Sequence, residues 1–260
     1  IYRRTDRKRM PRSKRQGDHD APANDVVVVH SSDLHVDDSY TARAYGGDGN
    51  GPLRCVLEAA EETSASVVLL TGDIFEHNRL PLDLLDETTQ ILEEAGRPVV
   101  ILPGNHDPAI PESVYHRSGI SDPSNVYVLG VTHRKAVHFP ELDLEIWGHA
   151  HRHYDDMSPL RSPRTRSTRW QIAAAHGHYE PDPDLSTPLR ASWLISEAEL
   201  AATEADYVAL GHWNTHRRVG KRDYRAYYSG SPDLAGTVNL VKFDRNGAVT
   251  VKRHKIRMPV

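Results

Sequence analysis

Five short apolar runs, rich in β-branched residues, recur along this chain. They occupy residues 26–29, 67–70, 99–102, 172–175 and 207–210. Each run is continuous, and Gly, Pro or Asp residues lie close to its ends. An exposed sheet face would place polar residues at every second position, so a continuous run is typical of a strand covered on both faces. The runs therefore predict five buried β-strands.

Segments with helical spacing lie between several of these strands. Apolar side chains recur three or four positions apart over residues 53–60 and 84–95, and residues 197–205 follow the N-cap candidate Ser196. Strands that alternate with helices indicate parallel βαβ units, which bind ligands beyond the carboxyl ends of their strands. The pattern predicts an α/β fold with a binding edge of this kind.

The pattern changes to β-structure towards the C-terminus. Strands are predicted over residues 225–229, 237–243 and 249–256, and Asn246-Gly247 is typical of a hairpin turn. We expect these strands to complete a second sheet. Residues 142–146 alternate between apolar and polar types and predict a half-exposed strand.

Polar residues of related chemistry follow the five buried runs. They are carboxylates, an amide and imidazoles: Asp33, His35, Asp73, Asn105, His106, His176 and His212. Hard oxygen ligands and imidazole nitrogens together suit a pair of divalent cations. An Asp after Gly, such as Asp73, is also a common turn residue, but its position at a buried strand end favours a functional role. The residues predict a two-metal hydrolase of phosphate esters.

The order of these motifs resembles the calcineurin-like metallophosphoesterase superfamily. Asp-x-His, Gly-Asp, Gly-Asn-His-Asp, a single strand-end His and a late Gly-His follow one another from residue 26 onwards. Residues 207–212 and 228–232 are similar to the DNA-repair exonuclease, or SbcD-like, branch. The resemblance implies a four-layer αββα sandwich with two stacked mixed β-sheets. We expect residues 25–260 to form this catalytic domain.

The resemblance also implies roles for individual residues. Two divalent cations, expected to be Mn²⁺ with Fe or Zn as alternatives, would share Asp73 within the ligand set Asp33, His35, Asp73, Asn105, His176, His212 and Asn214. His106 would protonate the leaving oxygen. Asp107 would either orient the His106 imidazole or cap its loop.

Two His-rich segments leave alternatives open. Residues 148–151 read Gly-His-Ala-His and compete with His176, but they follow the strand that is predicted to be half-exposed. We therefore place His149 and His151 in a loop near the rim, with contact to the metal ligands, rather than to a metal, as a further possibility.

The last motif of the superfamily is Gly-His-x-His. In this chain Asn214 stands at the second His position of that motif, with His216 as the alternative ligand if the loop bulges. The repair nucleases also place a catalytic His three residues after the shared Asp. Here that position is Glu76, followed by His77, which puts efficient DNA cleavage in doubt.

Charge is distributed unevenly along the chain. The net charge is −4, yet residues 1–20 carry eight Arg or Lys against three Asp. A segment so rich in charge predicts a disordered basic tail over residues 1–24, either an arm for nucleic acid or a solvated extension. Arg161, Arg164 and Arg166 lie in a second basic stretch. They would either guide a polyanionic substrate or form a solvated loop.

Three further features bear on location and surroundings. Cys55 is the single cysteine, which excludes an internal disulfide and fits a reducing compartment. The absence of a long apolar stretch and of a signal-peptide pattern predicts a cytoplasmic protein. The Gly-rich residues 46–51 are expected to border the metal site.

The leading hypothesis for function is a metal-dependent phosphodiesterase that acts on nucleic acid, with DNA as the candidate substrate. The alternatives are a phosphodiesterase or phosphatase for small esters or nucleotides, and an inactive metal-bound scaffold. Metal ligands contact only the phosphoryl group, so they do not distinguish these substrates. No segment for binding a partner ATPase is evident, and the sequence carries no signal for an oligomeric state.

Overall fold

The computed structural model describes residues 25–153, 158–183, 193–221 and 223–257, so the predicted basic tail lies outside the described residues. The helices are α1 Tyr40–Ala44, α2 Gly51–Glu62, α3 Leu82–Glu94, α4 Val114–Arg117, α5 Glu197–Ala202 and α6 Pro232–Ala235. The strands are β1 Val26–Ser31, β2 Val67–Thr71, β3 Val99–Leu102, β4 Val126–Val128, β5 Ala136–Phe139, β6 Leu144–Gly148, β7 Trp170–His176, β8 His178–Tyr179, β9 Leu194–Ile195, β10 Tyr207–Gly211, β11 Arg217–Val219, β12 Ala226–Tyr228, β13 Thr237–Phe243 and β14 Val249–Lys255.

Two six-stranded mixed sheets form the centre of the fold. The first has the strand order β14-β13-β1-β2-β3-β4, in which β1 to β4 are parallel and β13 and β14 are antiparallel additions. The second has the order β11-β12-β10-β7-β6-β5, in which the four inner strands are parallel and both edge strands are antiparallel. Strands β8 and β9 form a separate parallel pair.

Both faces of the first sheet are buried, as its continuous apolar runs predict. In β2, Val67 and Leu69 point between the two sheets, whereas Val68 and Leu70 pack outward with α2 and α3. The outer face of the second sheet is covered by a smaller cluster that includes Leu200 of α5. These three apolar layers separate four layers of structure, which confirms the predicted αββα sandwich.

The three predicted helices are present, with small differences at their ends. The N-terminus of α5 is fixed by a capping box, in which Ser196 Oγ accepts from Glu199 N–H and the Glu199 carboxylate accepts from Ser196 N–H. Among the described residues, no helix is both long and apolar enough to cross a membrane.

Two predictions about strands are wrong. The strands β13 and β14 join the first sheet beside β1, because Val241 and Phe243 contribute to the layer between the sheets. Strand β6 is fully buried rather than half-exposed. Its polar residue Glu145 is tolerated because it accepts hydrogen bonds from Arg164, Ser167 and Gln171 side chains at 2.8 to 3.1 Å.

A polar network crosses the layer between the sheets. The His30 ring nitrogens lie 2.8 Å from Tyr207 Oη and 2.8 Å from Thr71 Oγ1, and Asn239 Nδ2 donates to Tyr207 Oη at 3.2 Å. Burial lowers the pKa of His30 to about 3, with a further contribution from His216. His30 is therefore neutral in the folded protein across the physiological range.

This burial predicts a loss of stability in mild acid. Because the folded pKa of His30 is about 3 and that of an unfolded His is about 6.5, only the unfolded state takes up this proton between those pH values. The free energy of unfolding should fall by about 2 kcal/mol more in the wild type than in His30→Gln between pH 7 and pH 5. Urea unfolding with a metal chelator present measures this difference, and equal losses in the two proteins would contradict the prediction.

Candidate metal centre

The predicted ligands converge where the parallel strands of both sheets end. Donor atoms of Asp33, His35 and Asp73 all lie within 4.8 Å of one another. A second group with the same spread consists of Asp73, His176 and His212. The two groups therefore share Asp73, which is the residue expected to bridge two cations.

His176 presents one nitrogen to a group of hydrogen-bond acceptors. Its Nδ1 lies 2.9 Å from the Thr71 carbonyl oxygen, which fixes the proton on that nitrogen when the ring is neutral. Its Nε2 lies 2.9 Å from Asn105 Oδ1 and 3.1 Å from an Asp73 carboxylate oxygen. A neutral imidazole would thus direct a lone pair towards two other acceptors, which fits a shared cation. The donor set accordingly suits a divalent metal.

The same contacts shift the pKa values of the buried groups. Burial alone would lower the pKa of His176, but the Asp73 and Asp33 carboxylates raise it to about 9. Burial raises the pKa of Asp33, whereas His176 and His106 hold the pKa of Asp73 below its ordinary value despite burial. The two opposite shifts reflect the attraction between the His176 imidazole and the buried Asp73 carboxylate.

Two motif glycines are required by close approach to ligand atoms. A Cβ atom on Gly72 would lie 2.0 Å from His176 Nδ1, and Gly72 also has a positive φ of 87°. A Cβ atom on Gly104 would lie 2.3 Å from Asp73 Oδ1. Any side chain at either position would displace a predicted ligand.

The backbone at four predicted ligands adopts the left-handed region. The φ angles are 55° at Asp33, 49° at His35, 53° at Asp73 and 106° at His212. Such angles are uncommon outside glycine and concentrate at functional sites. At these positions the backbone turns out of the strand direction, and the donor atoms of the four residues belong to the two ligand groups.

Surrounding residues hold Asp33 in place. Ser32 Oγ donates to an Asp33 carboxylate oxygen at 2.5 Å and lies 2.9 Å from Ser229 Oγ, while His212 N–H donates to Asp33 at 3.0 Å. Ser32 and Ser229 are both buried. Sequence reasoning did not assign them a role, although Ser229 lies in the Tyr-Ser-Gly-Ser-Pro segment of the resemblance.

His106 lies at the mouth of the cleft, with 40% of its side chain exposed. Its Nδ1 is 3.0 Å from the Glu76 carbonyl oxygen, and its ring contacts the His35 ring edge to face at 4.9 Å. Asp107 matches its second alternative, a loop cap, because the hydrogen bonds of its buried carboxylate go to groups other than the His106 ring. Asp107 instead accepts hydrogen bonds from Gly104 N–H, Ile74 N–H, Phe75 N–H and Tyr115 Oη.

Neither the competing segment at residues 148–151 nor buried His176 lines the cleft itself, but of the two His176 belongs to a ligand group. His149 Nε2 lies 2.6 Å from the Arg161 carbonyl oxygen, in the loop where we expected it. His151 is fully buried, so its placement near the rim is wrong. Its Nε2 lies 2.8 Å from the His176 carbonyl oxygen, and its ring packs against the His176 ring.

The two departures from the superfamily pattern lie on the same cleft. Asn214 lines it, whereas His216 packs against Tyr227 and does not. Glu76 Oε2 lies 2.7 Å from His35 Nδ1. The two atoms are close enough for an ion pair but do not have the angles of a hydrogen bond. Glu76, His35 and His106 form a third group of donor atoms within 4.8 Å. Glu76 thus adds a carboxylate next to the first predicted cation.

The predicted basic guide for substrate lies elsewhere. Arg164 Nε donates to buried Glu145 at 3.1 Å, and Arg166 binds the Asp206 carboxylate. Both line a separate cavity, and Arg161 does not line the metal cleft either. The guanidinium groups of Arg164 and Arg166 are engaged by acidic side chains away from the cleft, which argues against contact of these two residues with a substrate at the metals. Guidance of a substrate by Arg161 stays a prediction. The Gly-rich residues 46–51 do not line the cleft, although the flanking Tyr45 and Pro52 do.

Comparison with known proteins agrees with this geometry. The profile of the calcineurin-like phosphoesterase family matches residues 26–244, and the chain belongs to this family of phosphoester hydrolases. It is 22% identical over 242 residues to the SbcD subunit of the SbcCD nuclease of Bacillus subtilis (strain 168), across 79% of this chain. The match spans 61% of that relative's length.

Solved structures share the fold at low sequence identity. The protein TT1561 of Thermus thermophilus is 13% identical, with a TM-score of 0.54 over 88% of this chain and 98% of that chain. Another solved structure is 12% identical, with a TM-score of 0.56 over 88% of this chain and 99% of the other. Both likenesses concern the fold alone.

Removing the shared carboxylate should empty both metal positions. Asp73→Asn keeps the size of the side chain and the apolar packing of β2, but it removes a negative charge common to both ligand groups. We expect the variant to fold and to lose Mn²⁺ binding by calorimetry. Asp233→Asn is the matched control, because Asp233 lines the same cleft outside the ligand groups. Two bound cations in folded Asp73→Asn would contradict this assignment.

Proposed function

On the basis of the family membership and the convergent ligands, we propose that this protein hydrolyses phosphodiester bonds with two divalent cations. The observation that carries the proposal is the pair of ligand groups that share Asp73. Asp33 and His35, with Asn214 beside them, would complete the first position. Asn105, His176 and His212 would complete the second.

The cations, when bound, would activate a water molecule and neutralise charge on the phosphoryl oxygens. His106 would donate a proton to the leaving oxygen, since its imidazole lies at the mouth of the cleft. The Glu76 carbonyl oxygen orients the His106 ring. The burial of Asp33, Asp73 and His176 excludes bulk water from the cation side.

Nucleic acid as the substrate is a second, finer candidate. It is favoured by the likeness to a nuclease subunit and is weakened by Glu76 at the position where the resemblance implies a catalytic His. The mixture of imidazole, amide and carboxylate ligands suits Mn²⁺, with Fe and Zn as alternatives. Residues 25–260 would form the catalytic domain. A cytoplasmic location stays a prediction.

Turnover of bis(p-nitrophenyl) phosphate with added Mn²⁺ tests the proposed function. We expect hydrolysis that a chelator abolishes, and His176→Ala should lower kcat by on the order of a thousandfold, as loss of a central group in a hydrolytic site does. His149→Ala is the matched control, because its ring lies outside the cleft.

Single-stranded and duplex DNA are assayed in parallel, and their preferred cleavage would support the second candidate. No hydrolysis of any substrate by a Mn²⁺-loaded, folded protein would favour the inactive scaffold instead.

The first cation position should be strengthened by restoring an imidazole. Asn214→His places a better ligand for Mn²⁺ or Zn²⁺ on the exposed side of the cleft, and we expect binding to tighten by about tenfold, equivalent to roughly 1.4 kcal/mol. Titration calorimetry measures this change. His216→Asn is the comparison, since that ring packs against Tyr227 and should not affect the metal. Unchanged affinity in Asn214→His would argue against Asn214 as a ligand.

A further inference from the structure

The cleft that Asp73 and other predicted ligands line also has an apolar wall. Its volume is about 750 Å³. Tyr40 and Leu234 line it with 68% and 67% of their surfaces exposed. Elsewhere in the described residues, the large apolar side chain with comparable exposure is Leu82 of α3, which lies outside the cleft. Exposed apolar surface is thus concentrated beside the predicted phosphate position, as at many ligand sites.

Hydrogen bonds fix this wall relative to the metal centre. The Asp37 carboxylate accepts from the backbone N–H groups of Ser39, Tyr40 and Thr41 at 2.9, 3.2 and 2.8 Å. Thr41 Oγ1 donates to the His35 carbonyl oxygen at 2.6 Å. The backbone at Tyr40 is therefore held by Asp37, and the next residue, Thr41, is bonded to the backbone of the predicted ligand His35. Because the backbone of this wall is already ordered, binding of a ligand there costs little conformational entropy.

The charge of the cleft does not suit a polynucleotide. The described residues that line it include no Lys or Arg. Three carboxylates besides Asp33 and Asp73 line it: Asp37, Glu76 and Asp233. Binding of a nucleic acid strand depends on several cationic side chains that neutralise successive phosphates. Here, phosphates beyond the one at the cations would face carboxylates.

An adjoining cavity on the other side of His106 does not change the excess of carboxylates over cationic side chains. It shares Glu76 and Asn105 with the cleft, and its cationic residue Arg79 is accompanied by Glu112. Arg164 and Arg166 are bound to acidic groups of the second sheet. The surroundings of the metal centre thus match one phosphoryl group joined to an uncharged organic group.

We propose that the substrate is a small phosphodiester with a single phosphate, which carries an aromatic ring against Tyr40 and Leu234. This inference rests on the proposed phosphodiesterase function and adds the substrate class. The phosphoryl group would lie at the Asp73 floor, and the ring would pack on the Tyr40 side chain. Aromatic contact of this kind adds to the gain from burial alone.

Binding of two phosphonates to the Mn²⁺-loaded protein tests the substrate class without requiring turnover. Phenylphosphonate and methylphosphonate are used as their monomethyl esters, which carry the single negative charge of a phosphodiester, and the two probes differ in the ring. We expect phenylphosphonate to bind about tenfold more tightly, as contact of one ring with an aromatic wall can supply. Tyr40→Ala should reduce this ratio towards one, and Leu234→Ala should reduce it in part.

Two variants control for indirect effects. Tyr40→Phe retains the ring and should retain the preference for phenylphosphonate. Leu82→Ala removes an exposed apolar side chain outside the cleft and should leave both affinities unchanged.

Three outcomes would overturn the substrate class: equal affinity for the two phosphonates, an unchanged ratio in Tyr40→Ala, or tighter binding of a thymidine decanucleotide than of phenylphosphonate. Hydrolysis of bis(p-nitrophenyl) phosphate separates this result from the proposed function. Turnover without a preference for the ring would reject the substrate class alone. The predicted preference without turnover would reject the proposed hydrolysis and leave the binding site in place.

Discussion

The organisation of this protein depends on bringing hydrogen-bond acceptors from two sheets to one point. Asp73 extends from the end of β2 in the first sheet, and His176 and His212 extend from the ends of β7 and β10 in the second. The hydrogen bond between His176 Nδ1 and the Thr71 carbonyl oxygen joins the two sheets at this point. Such a cluster of lone pairs is unfavourable unless a positive charge compensates it. The raised pKa of His176 reflects the same need for positive charge beside these carboxylates.

The fold accommodates this arrangement through its backbone. The ligand residues of β1 and β2 turn into the left-handed region as soon as their strands end. Such angles are costly for residues other than glycine, and the surrounding packing must compensate them. Beneath the ligands, His30, Tyr207 and Asn239 replace apolar packing with hydrogen bonds between the sheets. Both the left-handed backbone and the polar core around the site thus lower stability while they fix the positions of the ligands.

The sequence was most informative where local pattern and burial agree. Continuous apolar runs predicted β1, β2, β3, β7 and β10, because strands covered on both faces need apolar residues at every position. The same logic failed for β6, where Glu145 looks like an exposed position but is buried with its own partners. Alternation of apolar and polar residues cannot show whether a polar side chain faces water or a buried hydrogen-bond network.

The pairing of strands that are distant in sequence was the other feature that the sequence could not predict. The positions of β13 and β14 depend on which sheet edge is open, and no residue in those strands specifies the edge beside β1. The ligand types could be predicted because their chemistry is local to each strand end. His151 and Ser229 could not, since their roles arise from contacts with His176 and Ser32 across the fold. The arginines at 164 and 166 were misleading because composition does not reveal that acidic partners already bind them.

Charge at the centre and charge at the rim act in opposite directions on a substrate. With two dications bound as proposed, the floor at Asp33 and Asp73 would be positive, because the other ligands are neutral. The carboxylates of Asp37, Glu76 and Asp233 would keep the surrounding cleft negative. Attraction for an anion then falls away from the floor, since carboxylates of opposing charge line the same cleft. A single phosphoryl group gains from this field, whereas a chain of phosphates gains at one position and loses at its neighbours. Selection for one anionic charge thus follows from electrostatics, and the choice of the attached group falls to the apolar wall at Tyr40 and Leu234.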